Sequence, residues 1–84
     1  MLKTEIAACI NNVGQITACG TENTFNVYGR NGGSYSFLIG DEITICSDYS
    51  MMTGKVKAVS ISDNTIIIDG EEININKINC MIIY

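Results

Sequence analysis

The chain contains no histidine, no tryptophan and no proline. Without histidine it lacks the commonest general base, the commonest metal ligand and the usual switch near neutral pH. It also lacks a basic excess: five lysines and arginines stand against nine acidic residues, for a net charge of −4. That balance argues against a protein that tracks nucleic-acid phosphates, which carries a basic face. The imbalance is also too small for a dedicated DNA mimic. No apolar run approaches the length of a membrane span. The opening "MLKTEIAACI" places Glu5 within the apolar stretch, unlike a secretory leader. The expectation is a cytoplasmic chain with no membrane partner.

What remains is globular in character, with 46% hydrophobic and 17% charged residues. Eighty-four residues suit one domain near the lower limit for a self-sufficient core. Such a chain buries roughly 60% of its unfolded surface, so nearly every apolar residue is needed inside. The frequent Ile and Asn, which have AT-rich codons, point to a low-GC bacterial or phage gene.

The chain repeats itself. "GQITACGTENTFNVYG" at 14–29 aligns with "GKVKAVSISDNTIIIDG" at 54–70, pairing Gly14 with Gly54, Ala18 with Ala58, Asn23 with Asn64 and Gly29 with Gly70. Upstream, "EIAAC" at 5–9 aligns with "EITIC" at 42–46. A slowly drifting offset with short gaps reads as a tandem duplication, 2–41 and 42–84, with edited loops. The alternative is chance similarity between two β-rich segments.

Every segment carries strand signals. "EINI" and "SYSFLI" alternate with period two, and "TIIID" and "MIIY" are β-branched runs bounded by turn residues. Glu22-Asn23 and Asp63-Asn64 suit tight hairpins, since Asn and Asp tolerate positive φ. In "VKAVSI", Val56 and Val59 fall on opposite faces of a flat strand, and a β-bulge near Ala58 returns both to the core. The first copy has the same spacing at Ile16 and Cys19. Nine strands follow, at about 4–10, 13–20, 24–29, 34–39, 42–47, 54–62, 65–69, 72–76 and 79–84. The expected fold is an all-β antiparallel meander curled into a barrel or a two-layer sandwich.

Residues 41–84, through "GDEITI", "GKVKAV", "NTIIIDG", "EEINI" and "INCMII", resemble the small five-stranded barrels of the Sm-like and Src-homology-3-like type. That resemblance implies binding of RNA, peptides or further copies, often in rings. The acidic balance argues against the RNA branch, and no site residue is carried over.

No catalytic set is visible. The cysteines Cys9, Cys19, Cys46 and Cys80 are widely spaced, with no CxxC and no histidine, so neither a metal site nor a cofactor is expected. Cys19 reads as a small core residue, and all four read as free thiols. "GRNGGS" at 29–34 lacks the GK[ST] ending of a phosphate loop and reads as a hairpin connection. The adjacent pairs Asp41-Glu42 and Glu71-Glu72 point to opposite strand faces and read as solvated charges.

Two loops stand out because they are longer than their counterparts in the other copy. Arg30, Asn31, Gly32 and Gly33 form one, and Asp48, Tyr49, Met51 and Met52 lie in the other. In an up-and-down meander both fall at one end, together with the connections at 11–12 and 70–71, and form a binding rim. Ile67, polar Asn26 in the first copy, is surplus to the core and reads as an interface residue. The expected function is therefore a non-catalytic binding or assembly module that is no enzyme. It would act through protein contacts as a homo-oligomer with a protein partner, as in a phage or mobile-element inhibitor or adaptor. The alternatives are a binder of a small anionic ligand or nucleotide, using Arg30 and the glycine backbone, and a nucleic-acid-binding small barrel.

Overall fold

Alternation in "EITIC" and the β-branched runs "TIII" and "CMII" favour extended backbone, because branched side chains pack well on a pleated surface. The computed structural model describes residues 5–20 and 23–84. Nine strands form among the described residues: β1 (Ala8–Asn11), β2 (Val13–Ala18), β3 (Thr24–Gly29), β4 (Ser34–Leu38), β5 (Glu42–Cys46), β6 (Met51–Ser60), β7 (Thr65–Ile68), β8 (Glu71–Asn74) and β9 (Cys80–Ile83). A one-turn 3-10 helix, Ile75–Lys77, links β8 to β9 where the sequence suggested continued strand.

The strands make two antiparallel sheets. One has the order β1-β9-β5-β6-β7-β8 and the other the order β2-β3-β4. The chain is thus all-β with two antiparallel sheets, and of the two expected forms, a barrel or a two-layer sandwich, the closed barrel is not formed. The last strand causes the difference. β9 returns between β1 and β5, with Cys9 opposite Ile82 on one side and Thr44 opposite Ile82 on the other. β1 stands at the edge of this sheet and does not pair with β2. It turns through Asn12, at φ 54°, and the chain crosses into the three-stranded sheet.

β6 changes partner along its length. Met51 to Lys55 pair with β5, and Val56 to Ser60 pair with β7. The ladder slips between Val56 and Ala58, which leaves Lys57 as the extra residue of a bulge. The first-copy bulge falls earlier than the spacing suggested, between Val13 and Gln15. Cys19 then lies beyond the end of β2 and is exposed, so it is not the core residue expected from its alignment with Val59. β6 also begins at Met51 rather than at Gly54, which makes Met51 and Met52 strand residues.

The turns follow residue chemistry. Asn23 and Asn64 take positive φ, 69° and 58°. Of the expected Glu22-Asn23 turn, Glu22 lies outside the described residues, as do residues 2–4 of the first unit. Asp69-Gly70, both at positive φ, make the two-residue connection between β7 and β8. That turn packs onto Gly54: a Cβ there would collide with the Asp69 carboxylate and approach Ile68 Cγ2 to 2.7 Å.

Both halves fill one core. Ile10, Val13, Ile16, Val27 and Phe37 pack in the same cluster as Ile43, Ile45, Val56, Ile66, Ile68, Ile75, Ile78, Met81 and Ile83. Phe25 tilts against Phe37 with ring centroids 6.0 Å apart. Met81 and Ile83 belong to β9, whose two neighbours both depend on it. Deleting residues 80–84 removes these fully buried side chains, each worth about 1.5–3 kcal/mol, and strips partners from β1 and β5. A domain this small has little reserve. The truncated chain is expected to show no cooperative thermal transition by circular dichroism.

Candidate functional site

The first candidate surface is the loop end expected from the sequence. The structure brings part of it together. The Arg30 N–H donates to Asn12 O (2.8 Å), tying the β3–β4 hairpin to the β1–β2 connection. Val13 N–H donates to Asn79 O (3.2 Å), and Asn79 N–H donates to Cys46 O (2.7 Å). The Asn79 side-chain amide donates to Asp48 Oδ1 (2.6 Å). Arg30 and Asp48 are thus joined through Asn12, Val13 and Asn79. Asn79 is a contributor the sequence did not single out. Its segment was expected at the opposite end, and β9 carries it here because it runs antiparallel to β5. The Asp69-Gly70 turn, in contrast, packs on Gly54 toward the Glu42 end of β5, away from this rim.

The individual rim residues differ in exposure. Arg30, Asn31, Gly32 and Gly33 are exposed, and the stem of Arg30 lies over Gly14. Within this hairpin Gly29 N–H donates to Gly33 O and Gly32 N–H to Gly29 O. These amides, with that of Arg30, are committed inside the fold. Asp48 is exposed, Tyr49 is 98% exposed and Met51 is 72% exposed. Met52 instead turns inward and packs against the core. Ile67 is half-buried, flanked across the ladders by Ala58 and Glu72.

The second surface is the outer face of β1, β9, β5 and β6, and sequence reasoning missed it. Ile43, Ile45, Met81 and Ile83 face the core, so alternation turns Thr44, Cys46, Cys80, Ile82 and Tyr84 outward. Thr44 is nevertheless buried. Its hydroxyl shares hydrogen bonds of 2.7 Å with the Thr53 hydroxyl and of 2.7 Å with the Tyr84 hydroxyl. Beside this chain of hydroxyls a cleft of about 300 Å³ is lined by Glu42, Thr53, Gly54, Lys55 and Asp69. Farther along, Cys46 stands directly opposite Cys80, and Cys9 lies on the same face of β1. Burial pushes the Cys80 thiol up from its ordinary 9.0 to about 11, helped by a hydrogen bond with Cys46 and by the charges that Cys46 and Cys9 would carry.

The comparisons add nothing to these surfaces. No family model, no curated protein and no solved structure matches this chain. No group of three or more Cys, Asp or Glu residues among those described is placed to hold a metal ion. No helix among the described residues is long and apolar enough to cross a membrane.

Two measurements probe the outer face. Thr44→Val removes the shared partner of Thr53 and Tyr84 in a buried setting and is expected to cost about 1–3 kcal/mol in urea unfolding. Thr44→Ser should recover most of that loss. Titration of Cys80 gives a second expectation. The folded chain keeps the Cys80 proton where the unfolded chain has released it, so stability is full below about pH 9 and falls as pH rises toward about 11. In reductant, thermal melts of the wild type should lose more between these values than melts of Cys80→Ser.

Proposed function

We propose that this chain is a non-catalytic β module that works through protein contact, with Tyr49 and Met51 as its anchors. One observation carries this reading: two large apolar side chains, 98% and 72% exposed, stand on a held turn and on the first residue of the strand that follows it. Ser47 N–H donates to Ser50 O (2.8 Å), the two serine hydroxyls share a hydrogen bond (3.0 Å), and Asp48 accepts from Asn79. Such a turn loses little freedom when it docks, which is what an interface anchor needs. Tyr and Met are also residue types enriched in protein interfaces. Arg30, at the linked hairpin, supplies charge at the same rim.

The proposed partner includes a second copy of the chain. Ile67 was the sequence-level candidate for that contact, but its half-buried position between Ala58 and Glu72 supports it less than the exposure of Tyr49 supports the loop. The reading as an anion or nucleotide binder is the weaker one, because the hairpin amides of Gly29, Arg30 and Gly32 already have acceptors. We further read β2-β3-β4 and β6-β7-β8 as descendants of one duplicated unit. Each contains a ladder bulge and an asparagine at positive φ, and the small-barrel resemblance covers 41–84.

Light scattering at high micromolar concentration tests the contact. The wild type is expected to exceed the 9.1 kDa monomer, and Tyr49→Ala with Met51→Ser is expected to return it to monomer. Both positions are exposed, so the double variant should change stability by only about 0.5 kcal/mol. An unchanged oligomer in the double variant, with Ile67→Lys dissociating it, would move the interface to β7. A monomeric wild type would remove self-association from the proposal.

A further inference from the structure

Cys46 and Cys80 occupy opposed positions in the antiparallel β5–β9 ladder. Residues directly opposed in such a ladder have Cα atoms about 4.5–5.5 Å apart, inside the 4.4–6.8 Å range of disulfides. Their side chains also share the outer face of the sheet, opposite the core-facing Ile45 and Met81. Both are free thiols and partly accessible. Cys9 is on the same face but lies opposite Ile82, which makes it a diagonal neighbour of Cys80. A diagonal pair is about 7–8 Å apart, beyond what a disulfide spans without backbone movement. Cys19, past the end of β2, belongs to the other sheet's hairpin. Register therefore selects one pairing among the four cysteines.

We propose that Cys46 and Cys80 form a reversible redox pair that closes into a cross-strand disulfide, clamping β9 to β5. The co-reactant is a low-molecular-weight disulfide such as oxidised glutathione. The Cys46 thiolate attacks it, forming a mixed disulfide and releasing one glutathione. Cys80 then loses its proton to solvent and attacks the Cys46 sulfur, and the second glutathione leaves. Two protein thiols are oxidised and one glutathione disulfide is reduced to two thiols. Cys80 is the resolving residue because burial keeps it protonated, so it does not open the exchange. The bond falls at the foot of the Ser47–Ser50 turn and next to Asn79, so oxidation braces the strand ends from which Tyr49 is presented.

The experiment incubates the full chain with oxidised and reduced glutathione mixtures, quenches with acid and digests with trypsin under non-reducing conditions. Cleavage after Arg30, Lys55 and Lys77 separates the two cysteines into peptides 31–55 and 78–84. The expected product is these two peptides joined, released by dithiothreitol. A cross-link closing a loop of this length should raise the melting temperature by roughly 10–20 °C. The rise should reverse with dithiothreitol, persist in Cys9→Ser and be absent in both Cys46→Ser and Cys46→Ala. Mixed glutathione adducts without the joined peptides would overturn the proposal. So would a link to Cys9 or Cys19, or a joined product that melts no higher than the reduced chain.

Discussion

The fold depends on β9 sitting between β1 and β5. It is four residues long, yet it gives backbone partners to one strand from each half and sends Met81 and Ile83 into the shared core. A strand used on both edges satisfies its own amides and carbonyls and those of two neighbours at once. It also determines which surfaces exist. With β9 between β1 and β5, β1 stands at the edge of the six-stranded sheet, β2-β3-β4 form a sheet of their own, and the barrel stays open.

The open arrangement leaves sheet edges, and their chemistry limits wrong pairing. β8 places Glu71 and Glu72 at the end of the six-stranded sheet. At the β4 edge the Leu38 N–H donates to Asp41 Oδ2 (2.9 Å), so a side chain occupies a donor that another chain could otherwise use. Carboxylates at or beside an edge discourage edge-to-edge association. Contact through exposed side chains on a loop is more compatible with such edges than addition of a further strand.

The outer face of the central strands combines hydroxyls and thiols, which the core's aliphatic chains do not. Thr44 is buried on the side away from the core, and its two hydroxyl partners come from β6 and from the residue after β9. This polar set ties the three strands from outside while Ile43, Ile45, Met81 and Ile83 tie them from inside. The facing thiols occupy the other end of the same pairing, near the turn that carries Tyr49.

Local chemistry made much of this legible in the sequence. Alternation marked β5, a β-branched run marked β7, Ile43, Ile45, Ile66 and Ile68 were placed inside, asparagine marked the turns at Asn23 and Asn64, and the Val56–Val59 spacing required the bulge found at Lys57. These signals are local because they act within a strand or a turn. Which strands become neighbours is a different matter. Several apolar strands compete for the same edges, and the choice rests on how the whole core packs. The return of β9 to β1 and β5, the inward turn of Met52, the exposure of Cys19 and the meeting of Cys46 with Cys80 were all decided there. So was the rim: the long loops were visible as loops, but only the pairing of β9 brought Asn79 to Asp48 and moved the Asp69-Gly70 turn away.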